Sequence, residues 1–154
     1  MKFMDPETGL FTRELFSQHL GRLATSAPVR NRPLTLCVLR VRDTEEVAEA
    51  RRSGWLEKAF PQLGSMVSRL IRVEDTAARL GPEHFAIALP ATPEAAARAA
   101  ADRIAAVISR TAFDGGDGRP PFVLEFDIGA VEVGAPAHVE RALEAASQMA
   151  RQGD

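Results

Sequence analysis

The feature that most constrains the fold is the segment at residues 72–89, which predicts a β-hairpin. Residues 85–89 alternate large and small apolar side chains, the period-two pattern of a strand with one face on a core. The pair Gly81-Pro82 precedes them and marks a turn, because glycine tolerates unusual backbone angles and proline fixes its own φ. Glu83 and His84 are therefore expected at the hairpin tip or its first rung. A hairpin also excludes an all-parallel sheet.

Length and composition indicate one globular domain in a reducing compartment. The chain has 154 residues, of which 45% are hydrophobic, enough for one full core. A net charge of -2 argues against nucleic-acid binding, which needs clustered positive charge. The single cysteine, Cys37, lies in an apolar run and is expected to be buried. No apolar run could cross a bilayer and no signal-peptide core opens the chain, so we expect a cytoplasmic protein.

Hydrophobic spacing and cap residues predict the remaining elements. They are a helix over residues 12–28, a strand at Leu34–Val41 buried on both faces, a short helix over 45–52, a helix starting near Pro61, a helix from the Thr92 cap to about Ser109 that buries Ile104, Val107 and Ile108, a strand from Phe122 towards Val133, and a helix from Pro136 with Met149 on its buried face. This order predicts an α/β (α+β) fold with a mixed or antiparallel sheet.

Two segments could suggest a ligand site. Arg40 and Arg42 flank Val41 at the end of the central strand, so both are expected on one face of the sheet, but two solvated arginines are the simpler interpretation. Arg30 and Arg32, in the loop before that strand, are also expected to be solvated. The glycine-rich segment 114–121 lacks the lysine, hydroxyl and spacing of a phosphate loop, which favours a connector.

Four segments, in this order, resemble the GGDEF family, the diguanylate cyclases that condense two GTP molecules into cyclic di-GMP. Residues 5–13 are similar to the opening D-x-L-T-G-L-x-N-R, residues 85–92 to the strand, proline and threonine after the signature, residues 101–104 to A-E-R-I, and residues 127–129 to S-I-G. The resemblance covers nearly the whole chain. It implies the nucleotidyl-cyclase palm-like fold, with a five-stranded, mainly antiparallel sheet flanked by helices. It also implies a bacterial signalling domain over residues 1–154, the C-terminal output module of a longer protein.

The resemblance places the signature G-G-D/E-E-F on Gly81, Pro82, Glu83, His84 and Phe85, where it is degenerate. Pro82 lacks the N–H that the second glycine would offer to a nucleotide phosphate. Glu83 keeps a metal-binding carboxylate, but a guanidinium, that of Arg40, stands where its partner aspartate is expected. The other altered positions are Glu45 and Ala150 in place of phosphate-binding lysines, Ala48 in place of a guanine-reading asparagine, and Glu57 in place of a guanine-reading aspartate. We expect no cyclase activity, no Mg²⁺ and no other cofactor.

A second family site looks intact. Residues 72–75 match the R-x-x-D motif at which active members bind their product as an inhibitor, and Arg103 matches a supporting arginine. Arg72 and Arg103 could donate to guanine edges and phosphates, and Asp75 could accept from guanine. The alternative is a surface ion pair. The resemblance implies a cyclic di-GMP receptor that relays ligand occupancy to a protein partner, with a ligand-linked homodimer as one form.

Two other functions remain open. The first is a protein-interaction scaffold that binds no nucleotide, which would be favoured if neighbouring residues held Arg72. The second is GTP binding without turnover, in which Arg40 and Arg42 would supply the counter-charges for phosphate. Pro82, Glu45 and Ala48 count against the second.

Overall fold

The apolar run of residues 34–41 forms the central strand of a five-stranded sheet in the computed structural model, which describes residues 4–29 and 31–151. The strands are β1 (Phe11–Thr12), β2 (Leu34–Val41), β3 (Thr76–Gly81), β4 (His84–Pro90) and β5 (Phe126–Glu132). The helices are α1 (Arg13–Val29), α2 (Glu45–Ser53), α3 (Trp55–Leu70), α4 (Glu94–Ser109) and α5 (Val139–Arg151), the last preceded by a 3-10 turn at Pro136–His138. None of the helices in these ranges could span a membrane.

The sheet order is β1-β3-β4-β2-β5, and every pairing except β1 with β3 is antiparallel. The predicted hairpin is confirmed as β3 and β4, joined through Pro82 and Glu83. Alternate residues of β2 face opposite layers: Cys37 and Leu39 pack in a core with α2, α3 and α4, whereas Leu36 and Val38 pack against α1 and α5. The expected fold class, with its mainly antiparallel sheet, is confirmed.

Helix α3 begins at Trp55, so the predicted start near Pro61 is wrong. Gly54, with φ of 85°, ends α2, and α3 follows without a linker. Leu56 and Phe60 are 2% exposed, so the first turns of α3 bury apolar area in the core. That burial offsets the hydrogen bond that an internal proline removes, because each large apolar side chain contributes about 2 kcal/mol when buried.

Two other boundary predictions and two burial predictions are also wrong. Strand β5 begins at Phe126, because buried Phe122 forms only an isolated bridge with Phe113. The residue before α4 is Pro93, which provides no side-chain cap, so Thr92 is not the cap. Val107 and Met149 are 41% and 43% exposed rather than buried.

Two simpler expectations about single side chains are confirmed. Cys37 is buried, and burial raises the pKa of its thiol to about 12. Arg32 is exposed, as predicted, whereas Arg30 lies outside the described residues.

Candidate functional site

The tip of the β3–β4 hairpin lies against α2. Arg51 of that helix binds the carboxylate of Glu83, which lies at the tip. Arg51 donates to Glu83 through two parallel hydrogen bonds, Nε to Oε2 at 2.8 Å and Nη2 to Oε1 at 2.7 Å. A second carboxylate, that of Asp43, lies 3.6 Å from Nη1. The hydrogen bonds from Arg51 lower the pKa of Glu83, and the Glu83 carboxylate raises the pKa of Arg51. The sequence did not predict this pair, because its members are far apart along the chain and no local pattern links them.

A second arginine, Arg79, holds the other side of the tip. Its side chain is only 9% exposed, and Nη1 lies 3.2 Å from Asp5 Oδ2 and 2.6 Å from Glu7 Oε1. Nη2 donates to the carbonyl oxygen of Pro82 at 2.9 Å, and the guanidinium lies 4.3 Å from the ring centre of Phe60. The tip is therefore tied to the N-terminal turn as well as to α2.

The end of the central strand carries paired rather than simply solvated charge. Arg42 donates through Nε and Nη2 to Oδ1 of Asp127 at 3.0 and 2.9 Å, and the Asp127 side chain is only 8% exposed. Arg40 lies in register between His84 on β4 and Asp127 on β5. Burial, and then the charges of Arg40 and Arg151, lower the pKa of His84, whose Nε2 is buried without a hydrogen-bond partner among the described residues.

These residues do not fit the Mg²⁺ ion that binds at this place in the family that the sequence resembles. Such an ion needs several carboxylate or phosphate oxygens around it. Glu83 is engaged by Arg51, Asp127 is engaged by Arg42, and the positive charge of Arg40 lies close enough to Glu83 to help lower its pKa. Within residues 4–29 and 31–151, no three His, Cys, Asp or Glu side chains form a group that could hold a metal.

The structure separates the four other positions at which the resemblance implies guanine or phosphate contacts. Glu57 lies with Gly81 and Pro82 on a cleft of about 720 Å³, but Glu45 lines a different cleft beside the 115–122 loop. Ala48 is half-buried on α2, and Ala150 is fully buried on α5. The positions expected to read guanine and phosphate therefore do not line one shared cleft.

The three residues expected to bind cyclic di-GMP do come together. Arg72, Asp75 and Arg103 line one pocket of about 340 Å³ at the end of α3, although Arg103 comes from α4. The remaining lining is mostly apolar: Leu70, Ile71, Leu89, Thr92, Ala96, Ala100, Ile104 and Val107. An apolar wall with a few polar groups is typical of a small-molecule site.

Arg72 is held in place by its neighbours. Asp75, with 4% of its side chain exposed, accepts from Arg72 Nε at 3.1 Å, from Nη2 at 2.9 Å and from the Arg72 backbone N–H at 3.0 Å. The Thr92 hydroxyl accepts from Nη2 at 2.7 Å, and Glu74 lies 3.9 Å from Nε. The hydrogen bonds that Arg72 donates to Asp75 raise the pKa of Arg72. Thr92, which the sequence predicted to cap α4, instead belongs with Arg72, Asp75 and Arg103 to one group of side chains, the Arg72 corner.

Two donors beside this pocket have no partner among the described residues. Nη1 of Arg72 has no hydrogen-bond partner among the described residues, and 49% of the side chain is exposed. Arg103 is exposed and makes no hydrogen bond or ion pair with another residue in the described part of the chain. The corner therefore has one preoriented guanidinium and one unpaired guanidinium beside an apolar wall.

Comparison with known proteins places this architecture among known folds. A family model described as "Diguanylate cyclase, GGDEF domain" matches residues 2–153. No curated protein sequence matches the chain. Among solved structures, the FimX GGDEF domain from Pseudomonas aeruginosa superposes with a TM-score of 0.85 at 20% identity, covering 99% of this chain and 94% of that one.

Two further solved structures are similar. The DgcB GGDEF domain from Caulobacter crescentus, in complex with c-di-GMP, gives a TM-score of 0.82 at 19% identity, covering 97% of this chain and 86% of that one. Diguanylate cyclase SiaD from Pseudomonas aeruginosa, in complex with its activator SiaC, gives a TM-score of 0.79 at 21% identity, covering 99% of this chain and 59% of that one. At these identities the likeness establishes the shared fold.

Proposed function

The chain belongs to the GGDEF domain family, and from that membership and the geometry of the Arg72 corner we propose that it is a non-catalytic receptor for cyclic di-GMP. The observation that carries the proposal is the convergence of Arg72, Asp75 and Arg103 on one pocket. We further propose that it works in the cytoplasm of a bacterium and relays ligand occupancy to a protein partner or a second copy.

The contacts of Arg72 refine the roles within the site. Asp75 already accepts three hydrogen bonds and is almost fully buried, so we assign it to orienting Arg72 rather than to contacting guanine. The Nη1 of Arg72, which has no partner among the described residues, and the unpaired guanidinium of Arg103 would then meet the ligand. A guanidinium held before binding loses less conformational entropy when the ligand arrives.

We propose that the chain has no cyclase activity because of the side chains and backbone at the hairpin tip. Phosphoryl transfer in this family's chemistry depends on positioning and on neutralising phosphate charge. Here Pro82 removes a backbone donor, and the carboxylate of Glu83 is engaged by Arg51. Arg40 also places positive charge near that carboxylate.

The solved relatives support the choice of ligand. The DgcB GGDEF domain was solved in complex with c-di-GMP, and SiaD was solved with a protein activator. A second messenger and a protein partner are thus both found with this fold.

Calorimetric titration of cyclic di-GMP tests the proposal, with GTP plus Mg²⁺ in a parallel run. We expect micromolar binding, about -8 kcal/mol, for the wild type and its loss in Arg72→Ala and Arg103→Ala. Arg98→Ala is the matched control, because Arg98 lies on the same helix as Arg103 and only pairs with Asp102 at 3.8 Å. Equal binding by all four proteins would place the ligand elsewhere.

The second candidate is a protein-interaction scaffold that binds no nucleotide. The observation that favours it is the set of bonds that hold Arg72 to Asp75 and Thr92. If neither cyclic di-GMP nor GTP gives a heat of binding, that result would favour the scaffold and reject the receptor. Turnover of GTP to cyclic di-GMP by the wild type would reject both.

A further inference from the structure

Two carboxylates, that of Glu83 at the hairpin tip and that of Asp43 just before α2, lie on the single guanidinium of Arg51. We propose that Arg51 is the resident cation of this tip: its guanidinium takes the place of a divalent ion between Glu83 and Asp43 and joins the tip to α2 without any metal. This role concerns the end of the sheet and is independent of any ligand at the Arg72 corner.

The contact between Arg51 and Glu83 is that of a strong ion pair. Both hydrogen bonds are short, 2.8 and 2.7 Å, and Nε and Nη2 on one edge of the guanidinium each donate to a different oxygen of the carboxylate. The Glu83 side chain is 21% exposed, so water screens the pair less than it would on an open surface. A planar fork gives this geometry, which a flexible lysine would not reproduce.

The same guanidinium also reaches a second acid from another part of the chain. Asp43 precedes α2, and its Oδ1 lies 3.6 Å from Nη1 of Arg51. Two carboxylates around one positive centre resemble the first ligands of a divalent cation site. A guanidinium differs from an ion because it is covalently attached and stays charged at any physiological pH.

The cap and the buried face of α2 position the Arg51 side chain next to the tip. The Thr44 hydroxyl caps its start by accepting from the Val47 N–H at 3.1 Å, and Val47 and Ala50 are buried against the core. Arg51 lies in the last turn, where the helix dipole favours a cation. The backbone of the tip is tied nearby, because the Val41 N–H donates to the Glu83 carbonyl at 3.0 Å.

Amide hydrogen exchange and Mn²⁺ broadening, both followed by NMR on the full chain, test this role. In Arg51→Ala we expect the amides of residues 80–85 to exchange several-fold faster, because the tip loses its link to α2. Arg52→Ala is the matched control: it removes the next arginine of the same helix, which pairs with Glu49 at 2.9 Å and not with the tip. That control should leave the exchange of residues 80–85 unchanged.

The Mn²⁺ measurement separates a replaced cation from an ordinary surface ion pair. We expect millimolar Mn²⁺ to leave the tip resonances of the wild type and of Arg52→Ala sharp. In Arg51→Ala, Asp43 and Glu83 lose their shared counter-charge, so Mn²⁺ should broaden the resonances around both, although only weakly, because two carboxylates make an incomplete site and the charge of Arg40 remains near Glu83.

Three results would overturn the inference. They are Mn²⁺ broadening at the tip of the wild type, no broadening in Arg51→Ala, and equal exchange of residues 80–85 in Arg51→Ala and Arg52→Ala. None of these readouts uses cyclic di-GMP, so this inference and the proposed receptor function can fail separately.

Discussion

Asp75 accepts three hydrogen bonds from Arg72, and the accepting side chain is 4% exposed while the donating one is 49% exposed. The buried member orients the exposed member. The corner is therefore shaped before any ligand arrives, and the buried carboxylate of Asp75 stabilises that shape.

We predict that Asp75→Asn lowers the free energy of unfolding by about 1–2 kcal/mol, because the amide keeps the shape but loses the charge and one acceptor atom. Urea denaturation measures the change. Asp102→Asn is the control, since Asp102 is 59% exposed and its pair with Arg98 spans 3.8 Å; it should cost less than about 0.5 kcal/mol. Equal midpoints for both variants would show that Asp75 does not stabilise the fold.

Arg79→Met should destabilise the protein by about 2–3 kcal/mol, because it leaves Asp5 and Glu7 without their shared buried cation. The expected cost is below that of a fully buried pair, since Glu7 is 44% exposed. Methionine retains apolar contact with Phe60. Arg98→Met, on an exposed helix face, is the control, and a loss of similar size there would contradict a special role for Arg79.

Gly64→Ala should destabilise the chain, whereas Gly21→Ala should stabilise it. A Cβ on Gly64 would collide with the backbone carbonyl of Thr8, which is not free to move as a side-chain tip would be; we expect a cost of about 1–3 kcal/mol. A Cβ on Gly21 meets nothing within 4 Å, and alanine favours the helix by about 1 kcal/mol. Thermal and urea unfolding of both variants check the opposite signs.

Acidification should lower the stability of the folded chain through His84, which is harder to protonate when folded than when unfolded. Burial lowers its pKa in the folded chain below the ordinary value of 6.5, and the charges of Arg40 and Arg151 lower it further. The unfolded chain therefore takes up the proton first, so the free energy of unfolding falls as the pH drops below about 6.5. His84→Gln should lose less stability than the wild type between pH 7 and pH 5. Parallel stability–pH curves would contradict the prediction.

Local patterns determined much of the architecture. The alternation in residues 85–89 predicted β4, the run at Leu34–Val41 predicted the central strand, and the Gly81-Pro82 pair predicted the turn, because each pattern depends on neighbours in sequence. The same holds for the spacing of Arg72 and Asp75, which lie three residues apart and meet directly.

The failures arose where distant residues compete with local preference. Helix α3 runs through Pro61 because the core takes up Leu56 and Phe60, and no local rule measures that burial. Thr92 offers its hydroxyl to Arg72 rather than to a helix end, an interaction that becomes available only once the sheet forms.

By itself, the sequence predicted most of the elements from α1 to α5 and their order, though not β1, and it carried the family resemblance, with Pro82 and His84 as the expected departures from the signature. Only the tertiary structure decided where the charges meet: Arg51 on Glu83, Arg79 on Asp5 and Glu7, and Arg103 beside Arg72. The reason is physical. Secondary structure follows from periodicity over a few residues, whereas an ion pair depends on distances of a few ångströms between side chains that folding brings together from remote positions.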